Sequence, residues 1–274
     1  PALGTAVTVA AQSTADAGRF DSLGVPAARI QVCGNIKFDR TANAAVLQRA
    51  RQLRARYAAA RPMWVAGSTH PGEESAALEA HAALCSTRGN ALLVLAPRHR
   101  PRFDEVAALL GASGRSWLRR SATAGDVAGA GAGHAVGETD GVAPASATVL
   151  LLDTIGELED FYAAADVAFV GGSLVPIGGH NLLEPAALGV ATLTGPYQDN
   201  APDIARLLGD AGGLRFVADA AELGAALVGL LADDGARARM AAAAQATVMA
   251  NRGALARVQA LVSDLLASQP RRLP

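Results

Sequence analysis

The segment VAFVGGSLVPIGGHNLLEPAALG, residues 167 to 189, sets a buried strand, a glycine-rich loop and a helix start in direct succession. Gly178 and Gly179 remove side chains where the backbone turns into the helix, so main-chain amides can approach an anion at the positive helix end. Asn181 and Glu184, with Leu182 and Leu183 between them, share the first helical turn and put an amide and a carboxylate beside the same opening. A carboxylate there suits paired hydroxyls, which donate to it, rather than the anion itself. Phosphate and ribose together describe a nucleotide. A capping Asn followed by an early-turn Glu that favours the helix dipole accounts for the same residues without any ligand. His180 can reach the ligand or serve the loop alone.

A second apolar strand, LLVLAP, runs straight into Pro97, Arg98 and His99. Ligands of open α/β sheets sit outside the carboxyl ends of the strands, where Arg98 offers a permanent cationic fork to a phosphate. A solvated Arg beside Arg100 and Arg102 is the plainer alternative. WVAGSTHPGEE repeats the layout, a strand ending in Ser68, Thr69 and His70 before a helix that opens with Glu73 and Glu74. The hydroxyls either contact a ligand or cap that helix. The turn containing Ile155, Gly156 and Glu157 closes a further strand, and its backbone can read the edge of a base. Lys37 is the only lysine among 24 basic residues. A compact ammonium retained in an Arg-rich chain can stand close to developing charge, although chance retention explains it too.

Bringing these groups to one edge requires a parallel sheet. Apolar runs of strand length alternate with amphipathic runs of helix length, the pattern of repeated β-α units. Strands are predicted at 5–11, 30–33, 62–67, 91–96, 148–152, 167–171, 191–194 and 214–217. Helices are predicted at 13–23, 43–60, 73–88, 101–111, 155–164, 181–189, 201–210 and 219–231, with helical patterns continuing through 234–249 and 253–267. Ser13 or Thr14 can cap the first helix, Gly24 can end it, and Gly189 can end the one opened by Asn181. Residues 121–147, rich in Gly, Ala, Ser and Thr without periodicity, are expected to form a mobile loop inserted between units. The polar stretch from Gly34 to Arg40 reads as a linker. Residues 1–40 are therefore expected to end one domain, and residues 41–274 to form a Rossmann-like nucleotide-binding domain with terminal helices. Pro1 precedes a strand-like run without an initiator Met or signal peptide, so the chain is expected to be a piece of a longer protein whose first domain lies mostly outside it.

Composition removes several classes of function. With 274 residues, 51% of them hydrophobic and only 4% aromatic, a sizeable core must be built from Ala, Val and Leu. A formal charge of -1 argues against a general nucleic-acid binder, which needs a broad positive footprint. Cys33 and Cys85 are too few for a disulfide scaffold and too far apart for a CxxC site. They fit a reducing cytosol, and no uncharged run is apolar enough to span a bilayer. Walker, HExxH and GxSxG motifs are absent and the five His are scattered, so neither a metal nor another cofactor is expected.

Taken together, AQSTADAGRFDSLG, GNIKFD, VAGSTHPGEE, LAPRH, DTIGEL, YAAADVAFVGGSL and GGHNLLEPAALG resemble the 3-deoxy-D-manno-octulosonic acid (Kdo) transferase family, in that family's order and over most of residues 7 to 200. GGHN with EP occurs loosely in many sugar transferases; the whole series is specific. The resemblance implies a two-domain GT-B glycosyltransferase with CMP-Kdo as donor, a lipid A precursor as acceptor, and an inverting, metal-independent transfer. It places that reaction at the cytoplasmic face of the bacterial inner membrane, with a membrane anchor and a catalytic carboxylate base in the N-terminal domain. Pro97 and Arg98, the turn Ile155 to Glu157, and Asn181, Leu182, Leu183 and Glu184 match its CMP-binding segments. Ser68, Thr69, His70, His99, Gly178, Gly179 and His180 become possible donor contacts, and Lys37 in GNIKFD matches the transition-state-stabilising lysine. Two departures accompany this: no residue of this chain matches the base, and the loop 121–147 is longer than the usual connection. A GT-B enzyme using a UDP-sugar and a non-catalytic nucleotide-binding module are the competing expectations.

Overall fold

The structure, a computed structural model, describes residues 7–40, 43–123 and 146–268. The chain forms two units, Pro1–Thr41 with Val248–Pro274, and Ala42–Thr247. In the first, β1 (Val9–Ala11) and β2 (Ile30–Val32) pair in parallel and are joined through α1 (Thr14–Ser22). Ser13 starts α1 by accepting the Asp16 amide, and Gly24 carries the chain out of it at φ +89°. Val9, Ala11 and Val25 are buried together against Phe20 and Ile30.

The second unit runs α2 (Ala44–Ala58), β3 (Met63–Thr69), α3 (Glu73–Arg88), β4 (Leu92–Pro97), α4 (Phe103–Ala112), β5 (Trp117–Arg119) and α5 (Arg120–Thr123). It continues with β6 (Val149–Leu151), α6 (Leu158–Ala164), β7 (Val167–Val170), α7 (Leu183–Ala187), β8 (Ala191–Thr194), α8 (Pro202–Asp210), β9 (Leu214–Phe216) and α9 (Ala220–Ala232). The strands form one parallel sheet in the order β5-β6-β4-β3-β7-β8-β9. β4, β6 and β7 are buried at every position, as strands covered by helices on both faces must be. With few rings available, Ala77, Leu84, Leu93, Leu95, Leu223 and Leu227 build much of the core around Trp64 and Phe169.

The chain builds outward from β3 on one side and then returns to lay β7, β8 and β9 on the other. The order reverses at β3, so a crevice opens outside the carboxyl ends of β3 and β7, where doubly wound sheets take their ligands.

Two elements differ from expectation. β5 lies between the helix predicted at 101–111 and the loop predicted at 121–147, where no element was expected, and the short α5 runs into the start of that loop; three residues of an edge strand carry too short a pattern to stand out. Most of the loop expected over 121–147 lies outside the described residues, as do residues 5 and 6 of the first predicted strand.

α10 (Asp234–Ala250) and α11 (Ala254–Ser268) end the chain. The sequence grouped both with the second domain, but residues 248–274 fall in the first unit. The Asp39 carboxylate accepts the amides of Gly253 and Leu255 at the start of α11, and Arg257 Nε donates to the Cys33 carbonyl at 2.7 Å. Those amides, Leu255 first, hold the Asp39 carboxyl below its ordinary value. A lowered folded value means that this contribution is complete above the ordinary carboxylate range and is lost as pH falls through the folded value. In Asp39→Ala the amides of Gly253 and Leu255 should exchange with solvent faster than in the parent at neutral pH. The difference should close in acid, a trend that hydrogen exchange followed by NMR can check.

Candidate functional site

Glu73 is 1% exposed, yet its carboxylate is fully used. Oε2 accepts the amides of His70 at 2.9 Å and Gly172 at 2.7 Å, and Oε1 accepts those of Ser173 and Leu174, both at 2.9 Å. One side chain from the first turn of α3 thus ties the loop after β3 to the loop after β7. Four donors make burial of this charge tolerable. A Cβ on Gly171 would lie 2.8 Å from Glu73 Oε2 and 2.7 Å from the Ser68 carbonyl, so the first glycine of VGGSL is there to admit the carboxylate.

Ser68 and Thr69 do not cap α3; Gly72 occupies that position without a side-chain bond. Ser68 sits in the left-handed region at φ +58°, beside a bulge in the β3–β4 pairing. The Thr69 hydroxyl is fully buried and donates to Glu74 Oε1 at 2.9 Å, which corrects its reading as a donor contact. Glu74 also takes both terminal nitrogens of Arg102, at 2.5 and 3.2 Å. Glu73 and Glu74, read only as early-turn acids, are the braces of two loops.

The glycine loop is braced from the β8–α8 side. Ser173 Oγ donates to the Val170 carbonyl and accepts the Gly195 amide, Asn200 Nδ2 donates to the carbonyls of Ile177 and Gly179, and Gln198 Nε2 donates to Thr194 and Gly195. Gly178 and Gly179 stand at φ +98° and +76°, with Asn200 and Gln198 where their side chains would be. The Gly179 and His180 amides donate to the carbonyls of Gly172 and Gly171, so these two amides close the loop instead of offering themselves to an anion. Gln198 and Asn200 escaped the sequence reading, although TGPYQDN follows a strand in the same way as the segments that were singled out.

Asn181 precedes α7 instead of sharing its first turn with Glu184: Oδ1 accepts the Leu183 amide, as a capping Asn does, and Nδ2 donates to Glu184 Oε1, each at 3.2 Å. Leu182 and Leu183 are buried at 2% and 0%, so any ligand meets their backbone only. After β6, Ile155 and Gly156 are exposed, with Gly156 at φ +89° and open space beside it. The Glu157 carboxylate is engaged by the buried Arg120, 2.7 Å away, and by the Thr154 hydroxyl. Its contribution to a ligand is therefore positional, and Arg120 is the partner that sequence reasoning missed.

Pro97 is buried at the end of β4, and the next residue, Arg98, is exposed. Its amide donates to the Thr69 carbonyl at 3.0 Å, while its guanidinium makes no hydrogen bond or ion pair among the described residues. Three of the scattered histidines meet here. His70 and His180 approach to 2.8 Å between Nε2 atoms, and the His99 ring lies edge-on to His70 at 5.3 Å between centroids. Burial chiefly, then His70, Arg98 and His99, push His180 down to about 4; burial chiefly also lowers His70. Arg98 thus supplies a positive charge without a counter-charge among the described residues, beside two imidazoles, His70 and His180, whose charged forms are disfavoured.

Lys37 belongs to the first unit, exposed on a single 3-10 turn, Ile36–Phe38, that Asn35 Oδ1 caps at its amide. Phe38 is buried beneath it. No cluster of three or more His, Cys, Asp or Glu arranged to hold a metal ion exists among the described residues, and no helix among them is long and apolar enough to cross a membrane.

A family model described as 3-deoxy-D-manno-octulosonic-acid transferase (kdotransferase) matches residues 1–40. The chain is 37% identical over 259 residues to a 3-deoxy-D-manno-octulosonic acid transferase of Haemophilus influenzae and 37% identical over 265 residues to one of Bordetella pertussis. Each match covers 94% of this chain but only 57% and 56% of the relatives, so the chain spans little more than half their length. Among solved structures, the C-terminal CMP-Kdo binding domain of WaaA from Acinetobacter baumannii is similar at a TM-score of 0.65 and 31% identity, over 75% of this chain and 99% of that one.

Because Glu73 satisfies four main-chain amides across the two loops, Glu73→Ala should cost about 3 to 5 kcal/mol of unfolding free energy, the amount lost when buried charged-group bonds are broken and their donors stranded. Urea unfolding checks this, and Glu105→Ala, which removes only an exposed pair with Arg102, should cost less than about 1 kcal/mol.

Proposed function

Since the chain belongs to the 3-deoxy-D-manno-octulosonic acid (Kdo) transferase family, whose GT-B-type, Rossmann-like parallel sheet it carries, we propose that it is the donor-binding half of such an enzyme. It binds CMP-Kdo, from which Kdo passes to a lipid A precursor in lipopolysaccharide core biosynthesis. The observation that carries this reading is the crevice at the β3 reversal, where Arg98, without a partner among the described residues, opens on the same sheet edge as the exposed turn at Gly156 and the Asn181–Glu184 pair. The likeness at 31% identity to a domain named for CMP-Kdo binding supports the cytidine donor over a UDP-sugar.

In this reading the Gly156 backbone meets the cytosine edge, Glu184 steadied by Asn181 accepts from the ribose hydroxyls, and Arg98 binds the phosphate. The acceptor oxygen attacks C2 of Kdo as the bond from C2 to the phosphate oxygen breaks, with inversion at C2. The bonding pair leaves with CMP, and the acceptor proton goes to a carboxylate base in the part of the enzyme outside this chain. Arg98 stabilises the charge that builds on the leaving phosphate, so no divalent cation is required. Lys37, in the motif GNIKFD, is the transition-state-stabilising lysine. The enzyme works at the cytoplasmic face of the inner membrane, held there by its N-terminal part.

Calorimetry on the chain should show CMP binding in preference to UMP, unchanged by a chelator. Arg98→Ala should weaken it by about 1.5 to 3 kcal/mol, roughly ten- to a hundredfold, and Glu184→Gln should weaken it less. Equal affinity for the two nucleotides would return the UDP-sugar reading. The chain alone should transfer no Kdo. In the enzyme carrying its N-terminal half, Lys37→Ala should lower turnover more than CMP affinity; an unchanged kcat would remove Lys37 from the reaction.

A further inference from the structure

We propose that His70 and His180 act as one proton-accepting couple that becomes charged when the donor's phosphate binds, so that donor binding takes up one proton. The proposal rests on the nucleotide reading above and adds a residue pair and a proton stoichiometry to it.

The geometry sets the stoichiometry. The two Nε2 atoms are 2.8 Å apart, the ring centroids 5.0 Å apart and the planes 12° apart. Once the two ring radii are allowed for, the short gap between nitrogens accounts for the whole centroid separation. The rings therefore meet head to head in a hydrogen bond and not face to face in a stack. Such a bond needs one Nε2 that carries hydrogen and one that does not, so the neutral rings are opposite tautomers. The ring donating through Nε2 keeps a bare Nδ1. The couple has room for one more proton there, after which both Nδ1 atoms are donors and the shared hydrogen bond is charge-assisted. A second proton would break that bond and set two cations side by side. Nor can a metal take both Nε2 atoms while they hold each other.

The surroundings set the direction. From the turn after β3, Glu73 and Glu74 lie near His70, but Glu73 is committed to four amides and Glu74 to Arg102 and Thr69. From the turn after β4, Arg98, His99 and Arg102 oppose a positive charge on the couple. From the loop after β7, Gly172 at φ +68° lets the His180 ring lie where a Cβ would come within 2.8 Å of it, which fixes the ring in place. Resting imidazoles are consequently neutral near pH 7, as the fall of His180 to about 4 expresses. A phosphate bound at Arg98 cancels the repulsion from Arg98 and adds attraction for an imidazolium, so it raises the couple's proton affinity. Binding is then strengthened at low pH. Between the free and bound values, affinity weakens about tenfold per pH unit as pH rises.

The test is calorimetric titration of the chain with the methyl ester of cytidine 5′-monophosphate, a diester that does not itself ionise near neutrality. Heats are compared in buffers of different ionisation enthalpy across mildly acidic to neutral pH. The slope should approach one proton taken up per ligand, and it should fall to near zero in both His180→Asn and His70→Gln. Ring nitrogen shifts in 15N-histidine spectra of the unsubstituted chain should show the same protonation on adding ligand, without relying on either variant's folding. Binding with no buffer dependence and no histidine shift overturns this proposal while leaving the nucleotide reading intact. A slope unchanged in both variants assigns the proton elsewhere and also overturns it. No binding of the diester overturns the nucleotide reading and the couple together.

Discussion

A buried carboxylate that accepts four main-chain amides is the joint on which the site depends. Glu73 satisfies N–H groups from the loops after β3 and β7 at once, at the place where the sheet order reverses. An isolated charge there would be prohibitive, and the amides without it would be unsatisfied donors in a dry interior. Each side therefore makes the other possible. The VGGSL turn owes its conformation to this exchange, since Gly171 admits the carboxylate and Gly172 admits the His180 ring.

From that joint the electrostatics follow. Glu74 is neutralised by Arg102 and Glu157 by Arg120, which leaves Arg98 as a cation without a counter-charge among the described residues at the strand ends. Two imidazoles nearby, His70 and His180, are pressed toward neutrality, chiefly by burial. A cleft arranged in this way favours an anion, and the Asn181–Glu184 pair next to it favours hydroxyl donors. A nucleoside phosphate carries both.

Much of this was legible in the sequence, for physical reasons. The strands that become β3, β4, β6 and β7 are continuous apolar runs because helices cover both faces, and each of their ends was marked by Gly, Pro, Arg or His. Segments singled out by that rule do end at one sheet edge. What periodicity could not reveal was pairing across distance. That Glu73 reaches Gly172, that Arg120 takes Glu157, and that His70, His99 and His180 converge are facts of the folded chain with no local signature. The same holds for Asp39 capping α11 from more than 200 residues away, which moves the C-terminal helix out of the domain to which its position assigned it. β5 was missed because three residues offer no period to detect.

The role of this chain turns on whether the nucleotide lies at the β3 reversal. Backbone amide shifts of the 15N-labelled chain on titration with CMP locate it most directly. The largest changes should fall on residues 98–99, 155–157 and 180–184 and be absent from the α2–α6 surface around Arg51 and Ala163. Saturable changes centred on that surface, with the three segments unmoved, would contradict that placement.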